Sequence, residues 1–373
     1  MIQARKLRVL VTTDAVGGVW IYSVELARAL KHLGVEVLLA VMGPSPDEGQ
    51  RREAHGIRLI DTGLPLDWTD IGAADLARAG RRLADIAAAE GADIVQTCSA
   101  AILAEAHFAQ PVIAVQHSCV ASWWAAVRGS PLPHDFQWRR DLVAAGLRRA
   151  DAVVAPTADF AAETARIYGL GDRVLPVHNG RRAANSDPTE QRDFVLTASR
   201  LWDDGKNVLT LDAAAARLDR PFLAAGATHG ANGASIRLDH LELPGQLAPA
   251  RLASLLAARP VFASAALYEP FGLSVLEAAQ AGCALVLSDI ATHRELWGDA
   301  ALYVPARDSD AFAAAIRRLL DDRPLRVELG DAARRRAARY TPDRLAGAMA
   351  LLYADVLAQA AELAPHRQLA GAA

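Results

Sequence analysis

Two doubly wound parallel-sheet α/β domains in tandem are the fold class this chain predicts, and three observations carry that reading. Its 373 residues exceed one ordinary domain and suit two of middling size. In both halves short apolar runs alternate with Ala/Arg-rich stretches of helical period, and strands separated by helices imply right-handed crossovers within a parallel sheet. The polar, non-periodic stretch His178–Asp193 interrupts the alternation once, after which it restarts. The expected organisation is a first domain over 1–180, a linker over 181–193, a second domain over 194–340, and a helix over 341–363 that packs back across the domains.

In chain order, Leu7–Thr13, Val35–Val41, Ile57–Ile60, Ile94–Thr97, Val112–Val115, Ala152–Ala155 and Val174–Val177 read as strands of the first domain. Val19–Leu33, Ala73–Ala89 and Phe136–Arg149 read as its helices. In the second half, Phe194–Ser199, Phe222–Ala225, Val261–Ala265 and Ala284–Leu287 read as strands. Val208–Leu218, Ala250–Ala258, Leu273–Ala281 and Ala311–Leu320 read as helices, and Thr292–Glu295 heads a short one. Thr341 as N-cap and Pro342 at the first helical position open the last helix, apolar along Leu345, Met349, Leu352 and Val356. Facing sheets of this kind predict a crevice with ligands at the carboxyl ends of the strands.

Composition excludes several classes. No uninterrupted apolar run reaches the ~18 residues of a spanning helix, and the N-terminus shows no leader pattern, so a cytoplasmic protein is expected. Cys98, Cys119 and Cys283 are scattered and odd in number, which argues against a disulfide framework or zinc site. A net charge of −3 gives no general attraction to nucleic acid. No Asp-x-Asp run stands at an expected strand end and no His/Cys ligand spacing is present, so neither a metal nor another cofactor is expected.

The chemistry-bearing residues sit where strands end. Gly17 and Gly18 join the first strand to its helix and let backbone N–H groups approach a phosphate or sugar; a plain tight turn is the equal alternative. The glycine spacing of a dinucleotide site is absent, so a nicotinamide oxidoreductase reads poorly. His117 closes the fifth strand, where its imidazole would bond a sugar hydroxyl or steady charge near a reacting carbon. The stretch Cys119–Pro133 that follows it, with Trp123 and Trp124, reads as an irregular acceptor loop. Asn179-Gly180 is a turn signal beside the crevice. Arg200 and Lys206 flank the first strand–helix junction of the second domain. Only Lys6, Lys31 and Lys206 among the 40 basic residues are lysines, so a lysine at this junction reads as half of a diphosphate clamp. Glu269-Pro270-Phe271-Gly272-Leu273 is a loop opening a helix whose free N–H groups face the crevice. Glu277 lies one turn in among apolar neighbours, where a carboxylate needs a partner such as a vicinal diol.

This order of residues resembles the retaining glycosyltransferases of family 4, which have the GT-B fold. The resemblance rests on Gly17-Gly18, His117, Asn179-Gly180, Arg200 with Lys206-Asn207, and Glu269 with Glu277. Ala278–Gly282 and Asp289 to Glu295 fit it too, and it runs from Leu7 to about Tyr353. It implies that Arg200 and Lys206 hold a donor diphosphate and Glu277 the ribose. Glu269 and the Phe271–Leu273 backbone would hold sugar and phosphate, His117 would contact the donor sugar, and Gly17-Gly18 would close over phosphate and acceptor. Two departures stand out: Ala224–Gly233 lacks the family's usual Gly-x-Gly ending, and Gly205 sits where a charged or bulky residue is usual.

The implied activity is metal-independent, retaining transfer of a hexosyl group from a nucleotide-diphosphate sugar to a carbohydrate or lipid-linked hydroxyl. The alternatives are a nucleotide-sugar epimerase or phosphorylase on the same fold, and a non-catalytic nucleotide-sugar-binding protein. Arg139, Arg140, Arg148 and Arg149 form either a solvated helix face or a face for an anionic membrane, which would place the protein at the inner membrane surface.

Overall fold

The computed structural model describes residues 5–69, 71–184, 189–230 and 233–370, with side chains to Glu362. Residues 185–188 of the expected linker and 231–232 of the departing loop lie outside the described residues. The chain divides into two compact units.

The first unit comprises the chain to Ser122, Pro131–Gly180, and everything from Pro342 on. Its first elements are β1 (Arg8–Asp14), α1 (Gly18–His32), β2 (Glu36–Met42), α2 (Glu48–Glu53), β3 (Arg58–Asp61) and α3 (Ala73–Ala89). Next come β4 (Ile94–Thr97), β5 (Val112–Val115), α4 (Val120–Arg128, whose residues from Trp123 group with the second unit), α5 (His134–Arg149), β6 (Ala152–Ala155), α6 (Ala158–Tyr168) and β7 (Val174–Pro176). The seven strands run parallel in the order β3-β2-β1-β4-β5-β6-β7. Val9, Leu10 and Val11 are all fully buried, as a strand covered on both faces requires, which is why these strands read as continuous apolar runs.

The second unit comprises Trp123–Ser130 and Arg181–Thr341. It carries β8 (Val195–Ala198), α7 (Val208–Ala215), β9 (Phe222–Ala225), β10 (Glu242–Gly245), α8 (Pro249–Ala257), β11 (Val261–Ser264) and α9 (Leu273–Gln280). It then adds β12 (Ala284–Ser288), α10 (Ala291–Trp297), β13 (Ala301–Val304), α11 (Ser309–Asp321) and α12 (Arg323–Ala337). Its six parallel strands follow the order β10-β9-β8-β11-β12-β13. Separate apolar clusters line its sheet, one built on Phe262, Leu276, Leu285 and Trp297, the other on Leu211, Val286, Phe312 and Ile316. The expected linker begins this unit. Its described residues bond inward, Thr189 N and Arg192 N to the carbonyls of Ala257 and Ala258, and Asp193 to the buried Arg326 at 2.8 Å.

The last helix, α13 (Pro342–Ala370), packs in the first unit. Leu345, Ala346, Met349, Tyr353 and Val356 form one stripe buried with α1, β1 and β2. By length and composition the segment Arg323–Glu362 is apolar enough to cross a membrane, yet these five residues lie inside the core.

Several elements differ from the sequence reading. Cys119–Pro133 is not an irregular loop: Val120–Arg128 is a helix, with Val120, Trp123, Trp124 and Val127 at helical spacing and no glycine before Gly129. The sequence pattern gives no element for the segments forming α2, α6, α12, β10 and β13. Strand β10 is a short edge strand containing Pro244, with a register irregularity against β9, a position where proline is tolerated. Helix α12 is rich in arginine, and its buried positions are Gly330, Ala333, Ala337 and Arg326, a face too weakly apolar to show a period.

Truncating Met349→Ala is expected to cost about 2–5 kcal/mol. Hydrogen exchange should accelerate in β1 and α1 and stay unchanged in β8 and β11. Equal acceleration in both sheets would contradict the placement of α13.

Candidate functional site

In the second sheet the strand order reverses between β8 and β11, and open α/β sheets hold ligands beyond the carboxyl ends of strands at such a point. The loops leaving these two strands are fastened together. Leu267 N and Tyr268 N donate to the Gly205 carbonyl at 2.8 and 3.2 Å. Asn207 adopts a left-handed backbone, φ 51°, and its side-chain amide donates to the carbonyls of Ala265 (3.0 Å) and Ala306 (2.7 Å). Across this junction the Lys206 ammonium donates to Glu269 Oε2 at 2.7 Å, with side chains only 15% and 13% exposed. Arg200 Nη2 donates to Asp203 Oδ2 at 3.0 Å. Asp203 Oδ1 also accepts from Gly205 N (2.9 Å) and Trp123 Nε1 (3.0 Å). Burial opposes the Asp203 charge, but Arg200, Lys206 and these bonds outweigh it and hold its carboxyl below the ordinary carboxylate range.

The Glu269 loop is held from α10, where Thr292 Oγ1 donates to the Glu269 carbonyl at 2.8 Å. Gly272, at φ 85°, precedes α9, which starts at Leu273. The Phe271 ring lies in the core, edge-on to Tyr340 at 5.7 Å, so only its backbone is available to a ligand. Glu277 accepts from Arg181 Nε at 2.8 Å, and the Arg181 carbonyl accepts from Gln280 Nε2 at 2.7 Å. The carboxylate read as needing a partner therefore has a guanidinium. His293 is fully buried; its Nδ1 lies 2.9 Å from the Ser288 carbonyl, which can only accept, so Nδ1 carries the proton.

The first unit holds the remaining expected residues. Gly17, with extended backbone at φ −167°, caps α1, and Gly18 is its first residue. Val16 N donates to Asp14 Oδ1 at 2.8 Å just before them. His117 follows β5, packed edge-on against Tyr22 with centroids 4.4 Å apart, and its Nε2 is buried without a hydrogen-bond partner. Burial lowers its pKa to about 4, so at neutral pH it serves as a neutral hydrogen-bonding group and not as a cation. Tyr22 is bonded in turn: Gln96 Nε2 donates to its hydroxyl at 3.3 Å, and Tyr353 of α13 donates to Gln96 Oε1 at 2.5 Å. Asn179 and Gly180 are buried at the end of the unit. Of the arginines considered for a membrane face, Arg139 donates to the carbonyls of Asp67 and Thr69, Arg149 to that of Ala106, and Arg140 pairs with Asp141.

The model of Glycosyltransferase Family 4 matches residues 16–183, and that of Glycosyl transferases group 1 matches 234–336. The chain belongs to the GT-B glycosyltransferases of family 4. A phosphatidyl-myo-inositol mannosyltransferase of Mycolicibacterium smegmatis is 38% identical over 104 residues, a match spanning 27% of this chain and 27% of that protein. Sucrose-phosphate synthase from Thermosynechococcus elongatus superposes with a TM-score of 0.76 at 20% identity, covering 95% of this chain and 100% of that one. The Anabaena protein HepE, in complex with UDP and glucose, gives 0.74 at 16% identity over 94% and 100%. A glycosyltransferase from Rickettsia africae gives 0.70 at 17% identity over 95% and 99%.

Sequence reasoning about this glycosyltransferase missed Arg181 and Asp203; it named Trp123 in an acceptor loop and Thr292 at a helix start, without the partners they bond. Each acts through a partner remote in sequence or through backbone geometry. Only the run Asp203-Asp204 beside Lys206 offered a signal. The folded pKa of His117 lies below its ordinary 6.5, so the unfolded chain binds the extra proton between about 6.5 and 4, and stability falls as pH drops through that window. His117→Gln should flatten this part of a stability–pH curve, and the wild-type imidazole should show no NMR titration between pH 8 and 5. A midpoint near 6.5 would refute the assignment.

Proposed function

We propose that the chain transfers a hexosyl group from a nucleotide-diphosphate sugar to an acceptor hydroxyl with retention and without a metal, the acceptor being a carbohydrate or lipid-linked. The observation that carries this reading is the buried Lys206–Glu269 pair at the β8/β11 switch point, with Arg200 on the same loop. An ammonium and a guanidinium placed there suit a diphosphate, whose negative charge grows as the sugar departs. Arg200 is half exposed, and its fork can turn to a phosphate while Asp203 keeps its base in place. Lys206 would exchange or share Glu269 for phosphate oxygen, leaving the Glu269 carboxylate to bond sugar hydroxyls. N–H groups at the start of α9, from Gly272 and Leu273, add to the phosphate's surroundings. Glu277, oriented by Arg181, is suited to the ribose diol. His117, neutral, would bond a sugar hydroxyl, and Gly17, Gly18, Asn179 and Gly180 would line the sites for phosphate, acceptor and donor. Binding of UDP-glucose by HepE supports a nucleotide-sugar donor.

In the proposed step the acceptor oxygen bonds to the anomeric carbon on the face the diphosphate leaves. The C–O bond to phosphate breaks, its electron pair departs with the diphosphate, and a phosphate oxygen takes the acceptor proton. Nucleotide release from UDP-, GDP- and ADP-sugars, measured with EDTA present, tests this. Lys206→Ala is expected to lower kcat/KM about 100–1,000-fold, and Glu277→Ala to raise the donor KM. An inverted anomer in the product would overturn the same-face mechanism, and activity abolished by EDTA would overturn metal independence.

A further inference from the structure

We infer that Trp123 is a positioning residue for the Arg200–Lys206 phosphate loop, and that Gly205 is glycine because the Trp123 indole lies against it. The inference rests on the donor-diphosphate reading above. Trp123 comes from α4, far from this loop in sequence, yet its Nε1 donates to Asp203 Oδ1 at 3.0 Å. That oxygen also accepts from Gly205 N, and the other oxygen of the same carboxylate accepts from Arg200. One buried carboxylate therefore orients the arginine, closes the turn that precedes Lys206, and is itself oriented by the indole. A Cβ added to Gly205 would stand 2.8 Å from Trp123 Nε1 and 3.0 Å from Asp203 Oδ1. The backbone at 205 is not left-handed, so it is this close approach, and not a turn conformation, that calls for glycine.

The end of α4 is held by further contacts, one to the same loop and one to the connection after β13. Arg128 pairs with Asp204 at 2.6 Å and stacks over the Trp123 ring at 5.3 Å. Arg307 Nη2 donates to the Val127 carbonyl at 3.0 Å. Trp123 touches neither Arg200 nor Lys206 through any of these bonds; it acts through Asp203 and Gly205. The bulky residue usual at position 205 is incompatible with an indole in this place, which accounts for that departure.

The experiment measures affinity for UDP and UMP, and for GDP and GMP, by calorimetry. The proteins are wild type, Lys206→Ala, Trp123→Phe, Trp123→Ala, Gly205→Ala and Trp123→Ala/Gly205→Ala. Trp123→Phe keeps a ring and removes the N–H. It should reduce the preference for diphosphate over monophosphate about tenfold, the scale of one charge-assisted hydrogen bond, with monophosphate affinity unchanged. A merely structural role would weaken mono- and diphosphate alike. Gly205→Ala should reduce the same preference in the wild-type background and reduce it clearly less in the Trp123→Ala background, where only the contact with Asp203 Oδ1 remains. An unaltered preference in Trp123→Phe, or an equal Gly205→Ala effect in both backgrounds, overturns the inference while leaving a Lys206-dependent diphosphate site intact. No nucleotide binding by the wild type, or binding indifferent to Lys206→Ala, overturns the donor reading itself and this inference with it.

Discussion

The arrangement of the second unit's switch point depends on one ion pair, Lys206 with Glu269. Each group is largely withdrawn from water, and stripping solvent from two charges costs several kcal/mol per ion before their attraction returns any of it. Such a pair adds little net stability compared with apolar side chains of the same volume. What it supplies is register, since a lone buried charge at either position would be strongly unfavourable. Everything nearby answers that demand. Asn207, Gly205 and the N–H groups of Leu267 and Tyr268 fix the backbone of both loops, and Thr292 holds the Glu269 carbonyl. The ammonium is thus held in one place, ready for any anion that competes with one carboxylate oxygen.

The same logic extends to Asp203. An aspartate buried among apolar groups would take up a proton near neutrality, but here two cations and two N–H donors keep it ionised. It can then hold Arg200 without neutralising the loop: Arg200 and Lys206 against Asp203 and Glu269 is a balanced set. An incoming diphosphate would upset that balance by adding negative charge, so binding must loosen at least one carboxylate from its cation. Glu269 is the better candidate to move. Asp203 is fixed by three donors, whereas the described bond to the Glu269 carboxylate comes from Lys206 itself.

Most strands of both sheets were legible in the sequence because buried parallel strands are continuous apolar runs: Ile94–Thr97, Val112–Val115, Ala152–Ala155 and Phe222–Ala225 have the expected bounds. Helix α4 is less legible: Val120, Trp123, Trp124 and Val127 carry its period, but adjacent tryptophans after a histidine suit a loop equally well. The strand β10 was not legible, since Glu242-Leu243-Pro244-Gly245 has turn composition and pairs along one edge only. At the site, Arg200, Lys206, Glu269 and Glu277 were legible by type and by place after strands. Their partners were not. Arg181 lies 96 positions from Glu277, and Trp123 80 from Asp203. No local pattern encodes such pairs; they are products of the folded sheet.

His117 shows how much a pattern leaves open. Its place at the end of β5 makes it a candidate, but its protonation state follows from what surrounds it. The Tyr22 ring lies edge-on to the imidazole and supplies no charge, and the buried chain from Tyr353 through Gln96 to the Tyr22 hydroxyl holds that ring in place. Burial without an anionic neighbour pushes the imidazole toward neutrality. A neutral ring can accept or donate one hydrogen bond at Nε2 but cannot offset a growing negative charge. The electrostatic work of the proposed reaction therefore falls to Arg200 and Lys206, and the loop that carries them is where small displacements should matter most, since electrostatic stabilisation depends on groups already aimed before charge develops.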